Sequence, residues 1–255
     1  MVYRPVCITK KNFLSQERSM RRRTLEVIPL KRFLLLFVLA ATWQAQAQGA
    51  TTPYPSMAPP EQYLITDRNA EIALAQSAAP ESISRDADVL VLGRQGYETA
   101  VKGKNGFACL VQRSWMAPID DPEFWNPKVR SPICLNAPAV RSFLPRIIRK
   151  TELVLGGSTK AQMFEEITAA IDRKELPAPE ADSMSYMMSK QSYNDRNGNW
   201  HPHLMLFLPQ TDPLAWGAGL PGTPIFAFQD TVEHLTVILI TVSHWSDGTA
   251  ATFDK

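Results

Sequence analysis

The chain has 255 residues, 45% of them apolar, with 27 Lys+Arg against 25 Asp+Glu and three cysteines. That composition excludes a disordered, collagenous or cysteine-dense chain and suits one packed domain. The basic excess sits at the N-terminus: without residues 1–47, 18 basic residues face 23 acidic ones, and the absence of a Lys/Arg cluster argues against nucleic acid as a partner.

Residues 21–47, "RRRTLEVIPLKRFLLLFVLAATWQAQA", have a basic start, an apolar run from Phe33 to Ala41 and the ending Ala45-Gln46-Ala47. This is the layout of a signal peptide cut after Ala47, with Met20 as the expected true start. Nine consecutive apolar residues fall short of the roughly 20 that cross a bilayer. Arg22-Arg23 only loosely fits a twin-arginine signal, since Glu26 stands where an apolar or basic residue is favoured. The expectation is a periplasmic or secreted protein without stable membrane insertion once the leader is gone. Cys7 leaves with the leader, so Cys109 and Cys134 remain as an even pair and read as a disulfide in an oxidising compartment.

Residues 48–60 are Pro-rich and small, a disordered linker by composition, and 61–255 read as one domain. "PEQYLITDRNAEIALAQSAAP" carries helical spacing and stops at Pro80. Residues 88–115 read as a three-stranded antiparallel meander, broken at Gly93–Gly96 and at the hairpin-forming Asn105-Gly106. The segment between the cysteines contains four prolines and little periodicity. Asn136 is placed to cap a helix that runs toward Leu155 and is interrupted at Pro145. Gly156-Gly157 ends it, and Thr159 with Gln162 forms a capping box for "KAQMFEEITAAIDRK".

Met184, Tyr186 and Met188 alternate with Ser183, Ser185 and Ser189 as in a half-buried strand, the apolar set on its buried face. "WHPHLMLFLP" is its hairpin partner. "TPIFAFQD" and "EHLTVILITVS" form a final pair, and the run Leu235 to Val242 is apolar enough for a sheet centre. The order of elements predicts an α+β fold: a mainly antiparallel sheet of six to seven strands with three helices packed on one face.

His201 and His203 lie one residue apart at the start of a strand, where Pro202 imposes extended geometry and residues i and i+2 share a face. Two imidazoles so placed suit a metal if a third ligand joins them, the candidates being His234, His244, Glu233 and Asp195. Their extended setting also suits a solvent-reachable strand end that holds no metal. Asp195, Asn197 and Asn199 alternate like calcium ligands, but Trp200 and Leu206 stand where an EF-hand needs Gly and Glu, so a polar turn is the better reading. "GGSTK" at 156–160 follows a helix and lacks phosphate-loop spacing, and the common hydrolase signatures are missing. Among loop aromatics, Trp125, Tyr193, Trp200 and Trp216 are candidates for a small-molecule pocket.

"YLITDRNAEIALAQSAAP", "GKNGFACLVQRSW" and "NWHPHLMLF", about a fifth of the chain after the leader, resemble segments of exported bacterial proteins of uncharacterised activity. The resemblance implies export and no activity. The leading expectation is a non-catalytic domain that binds a small ligand or an envelope partner through Tyr193, Trp200, His201, His203 and Trp216, with no cofactor. The alternative is a metal-assisted hydrolase or related enzyme with His201, His203 and His234 as ligands.

Overall fold

A computed structural model describes residues 53–193 and 200–252. The expected leader and the expected polar turn with Asp195, Asn197 and Asn199 lie outside these residues. Eight strands among the described residues form one sheet: β1 Asp88–Gly93, β2 Gly96–Val101, β3 Ala108–Gln112, β4 Ser131–Leu135, β5 Met184–Met187, β6 His203–Pro209, β7 Ile225–Asp230 and β8 Leu235–Thr241. Their order is β2-β1-β3-β4-β5-β6-β8-β7. Every pair is antiparallel except β1 with β3, so the α+β class and the mainly antiparallel sheet are as the sequence indicates. No helix among the described residues is long and apolar enough to cross a membrane.

The first helix, α1, is shorter than its periodicity suggests. Asp67 accepts from the backbone N–H groups of Asn69 and Ala70, which starts α1 at Arg68 and ends it at Gln76. Upstream, Pro60–Tyr63 makes only a 3-10 turn. The part of the expected linker that is described is packed rather than loose: Tyr54, Met57 and Ala58 lie against a cluster containing Tyr63, Trp115 and Phe124. Two aromatic and thioether side chains are enough to dock a segment whose overall composition is that of a linker. A single turn, α2 (Glu81–Ser84), leads into β1.

Strands β1 to β3 do not form a meander. The turn between β1 and β2 is at Gly93–Gly96, but β3 emerges on the far side of β1 and runs parallel to it. The reason lies in the connection. Gly103 donates its N–H to the Asp88 carboxylate, and the N–H groups of Lys104 and Asn105 donate to the Asp86 carbonyl. A Cβ on Gly103 would come within 2.3–2.4 Å of the backbone of Asp86, Ala87 and Asp88, so the chain passes this close only because the residue is glycine. Asn105-Gly106 then serves the crossing, with Asn105 donating to the Ile83 carbonyl and accepting from the Phe107 N–H.

Helices cover both faces of the sheet, not one. Val89, Cys109, Val111 and Cys134 point to the face occupied by Ala75 of α1 with Ala78 and Ala79 behind it. Alternate residues Leu90, Leu110, Ile133 and Leu135 point the other way, toward α3 (Ala137–Ser142) and α4 (Leu144–Leu155). The small alanine side chains let α1 sit close on the sheet, while on the opposite face Phe143 stacks on Phe207 with ring centroids 3.8 Å apart. Asn136 caps α3 and Pro145 opens α4, so the break falls where the sequence puts it. The capping box of Thr159 and Gln162 starts α5 (Lys160–Asp172).

Strand β5 reverses the expected polarity. Ser185 and Met187 are buried, whereas Met184 and Tyr186 are partly exposed. Ser183 and Ser142 hydroxyls lie 2.9 Å apart, and these short side chains allow α3 to approach the sheet closely. Cys109 stands directly opposite Cys134 in the β3–β4 ladder, with Cα atoms 4.0 Å apart, and the disulfide is wholly buried beneath α1.

Candidate functional site

The disulfide closes the root of a segment, 113–130, that would otherwise leave the sheet as a long irregular loop. Tertiary anchors hold it instead. Trp115 is fully buried and donates its indole N–H to Thr151 Oγ1 of α4 at 3.0 Å, and Tyr63 donates its hydroxyl to the Trp125 carbonyl at 2.9 Å. Together with α4, this segment roofs a cavity of about 320 Å³ over the sheet face that carries Met187, His203, Met205, Phe207 and Val237. The floor runs from His203, paired with Thr241, to Leu235, paired with Pro209. Six residues along a strand make that span about 20 Å.

One end of the cavity is aromatic. His203 is 8% exposed and lies in the ladder between β5 and β8, not at a sheet edge. Its Nδ1 lies 2.8 Å from the His201 carbonyl, which can only accept. Nδ1 therefore carries the proton of the neutral ring, and Nε2 keeps a lone pair with no partner among the described residues. Burial lowers the His203 pKa below its ordinary value of 6.5 and favours that neutral form. Trp200 packs edge-on against the imidazole at 5.2 Å and is fixed by an indole N–H donated to the Ser189 carbonyl at 2.9 Å.

The other end is charged. Glu233, 3% exposed, is bracketed by two cations of α4, Lys150 in a short ion pair and Arg146 at 3.5 Å. Burial opposes its ionisation, but Lys150 and then Arg146 outweigh burial and hold the carboxyl below its ordinary pKa. Asp230 and Glu123 also line this end. One Asp230 oxygen accepts from the N–H groups of Val232 and Glu233, and one Glu123 oxygen accepts from Asn126. Neither carboxylate makes an ion pair with a described residue.

Of the residues singled out from the sequence, Trp200 and His203 line the cavity, whereas His201, Tyr193 and Trp216 do not. His201 precedes β6 and contributes its carbonyl. Tyr193 forms a bridge with Arg130 and is 48% exposed, and Trp216 is 40% exposed on a 3-10 turn. Trp125 is buried as core. His234 has a left-handed backbone (φ 52°) in the turn before β8, one residue beyond the end of the ladder at Leu235 and seven residues from Thr241, the partner of His203, and His244 bonds to the Ser243 hydroxyl. Among the described residues, no group of three or more His, Cys, Asp or Glu side chains is placed to hold a metal ion. His203 is also far less open to solvent than a free strand end would be, because β5 and β8 flank it and the roof covers it.

Sequence reasoning named Glu233 only as a possible third metal ligand and missed the cations that surround it. A signal was present: Arg146 and Lys150 stand at i and i+4 beside the buried Ile147 and Thr151, so two cations interrupt the apolar face of α4. Comparison with family profiles, with curated proteins and with solved structures finds no match.

Proposed function

We propose that this chain is an exported binding protein that holds a small, mainly apolar ligand in the cavity beneath the disulfide-closed segment. The observation that carries the reading is the cavity itself. At about 320 Å³ it is at the lower end of the range for small-molecule sites, its floor is made of apolar side chains, and it contains polar atoms with no protein partner. The Ser114 hydroxyl in the wall is buried without a partner, and His203 Nε2, at the aromatic end, has none either. A buried polar group without a partner costs about 1–3 kcal/mol, and a bound molecule that supplies the partner recovers that loss. The leader-like residues 21–47 and the disulfide support a periplasmic or secreted setting.

The alternative of a hydrolase built on His201, His203 and His234 has less support, since the three do not converge on one point. The test is titration of the purified protein with a neutral apolar fluorophore such as phenylnaphthylamine. Saturable binding of one molecule per chain is expected, lost in Leu239→Trp, where the new indole fills the cavity beside Met205. Absence of saturable binding, or binding unchanged in Leu239→Trp, overturns the reading.

A further inference from the structure

We infer that the ligand is an elongated amphiphile with a cationic amine at one end, seated beside Asp230 and Glu123, and a hydrogen-bond donor at the other, given to His203 Nε2. This inference rests on the cavity being a binding site and adds the chemistry of what it takes. The charge balance at the acidic end points to a cation. Four carboxylates line the cavity, those of Asp121, Glu123, Asp230 and Glu233, against the ammonium of Lys150 and the guanidinium of Arg113, and Arg113 is already held by Glu71 behind the wall. Two further cations stand behind the wall: Arg146 on Glu233, and Lys160, whose electrostatic partners are Asp121 and Asp120. With Arg113 answered by Glu71, three cations remain for the four lining carboxylates; Arg146 acts first on Glu233 and then on Asp230, and Glu123 and Asp230 have no ion pair among the described residues.

An acidic cluster alone would have no claim to be a site. The independent observation is in the wall itself: Ser114, 3% exposed, has a buried hydroxyl with no partner, and at the far end the Nε2 lone pair of His203, a residue 8% exposed, is also unanswered beside the cavity. Between the two ends lie Met205, Phe207, Val237 and Leu239, an apolar track about 20 Å long that offers nothing to a polar body. Phe228 stands two residues before Asp230 on the same side of β7 and also lines the cavity, which puts an aromatic ring beside the carboxylate as ammonium recognition favours.

Three probes share one ten-carbon body and one hydroxyl end and differ only at the second terminus: aminodecanol, decanediol and hydroxydecanoate. Calorimetric titration at neutral pH is expected to rank them amine over diol over acid, with the amine tighter than the diol by about tenfold, the scale of one charge-assisted hydrogen bond. Asp230→Asn is expected to remove most of the amine's advantage while leaving the diol's affinity within about twofold. A diol that binds as tightly as the amine, or an acid that binds best, overturns the cationic head group while leaving the cavity as a binding site. If none of the three binds and phenylnaphthylamine also fails, the binding reading itself falls with it. Should the amine's advantage persist undiminished in both Asp230→Asn and Glu123→Gln, the assigned position is wrong.

Discussion

Glu71→Gln is expected to destabilise the fold by about 3–5 kcal/mol, although it changes one buried oxygen to nitrogen and alters no volume. Glu71 is 1% exposed on α1, and its Oε1 accepts from the Leu92 N–H at 3.1 Å and from Arg113 at 2.9 Å. Arg113 is equally buried and donates also to the carbonyls of Tyr63 and Val111. The amide can still accept from Leu92, so the change isolates the charge. It leaves a guanidinium in the interior without its counter-ion, and breaking a buried pair from one side costs about 3–5 kcal/mol. Removing both charges, as in Glu71→Leu with Arg113→Met, strands only neutral groups, the Leu92 N–H and the Tyr63 carbonyl among them, at about 1–3 kcal/mol each. The double variant should therefore be more stable than the sum of its single changes by at least about 2 kcal/mol. Equilibrium urea unfolding reads this directly: with a slope of about 2 kcal/mol per molar, the Glu71→Gln midpoint falls by about 1.5–2.5 M. A loss below about 1 kcal/mol, or strict additivity in the double variant, would show that the pair does not anchor α1 to the sheet.

Three further outcomes follow from the same geometry. Replacing Cys109 and Cys134 together by alanine releases a span with a sequence separation of 25, and chain entropy puts the loss at about 3.5 kcal/mol, read by denaturant unfolding against the oxidised protein; a loss under about 1 kcal/mol refutes it. Gly103→Ala forces backbone atoms apart at the β2–β3 crossing, so it should cost more than about 2 kcal/mol by thermal unfolding, and a Tm unchanged within a degree or two would refute the close approach. For His203 the folded pKa lies below the unfolded 6.5, so the unfolded chain binds the extra proton and stability falls as pH drops below about 6.5. His203→Gln should flatten the stability slope between about pH 6.5 and 5, and an unchanged slope would place the titration elsewhere.

Legibility in the sequence followed the range of the interaction concerned. Asn136, Gly156-Gly157 and the Thr159–Gln162 box are local devices, satisfied within a few residues, and the structure uses each where it stands. The disulfide was legible because only one pairing remains once Cys7, which falls in the expected leader, is set aside. The order of β1, β2 and β3 was not, because Asn105-Gly106 has the same local chemistry in a crossing as in a hairpin. What decides between them is the fit of Gly103 against Asp86–Asp88, which is a tertiary contact. Similarly, alternation in β5 fixes that Met184 and Ser185 oppose each other, but not which side α3 will cover. The side chosen has serines that admit the helix closely, so hydrophobicity alone pointed the wrong way.

The candidate site divides along the same line. His203 and His201 share sequence parity, yet only His203 lies within the β6 ladder, and the Nδ1 contact to the His201 carbonyl uses the preceding residue as backbone rather than as a second imidazole. That contact fixes which nitrogen of His203 remains available, so the His-Pro-His stretch sets up one acceptor instead of a pair of ligands. The charged end has no local signature in β8, because Glu233 becomes part of the site only when α4 brings Arg146 and Lys150 down on it from far along the chain. An apolar-faced helix carrying two cations at i and i+4 has to find buried carboxylate for them or unfold its own packing. The same demand that brings Glu233 inward places Asp230, three residues before it, at the wall with one oxygen uncommitted, and links the stability of the roof helix to the chemistry the cavity offers a ligand.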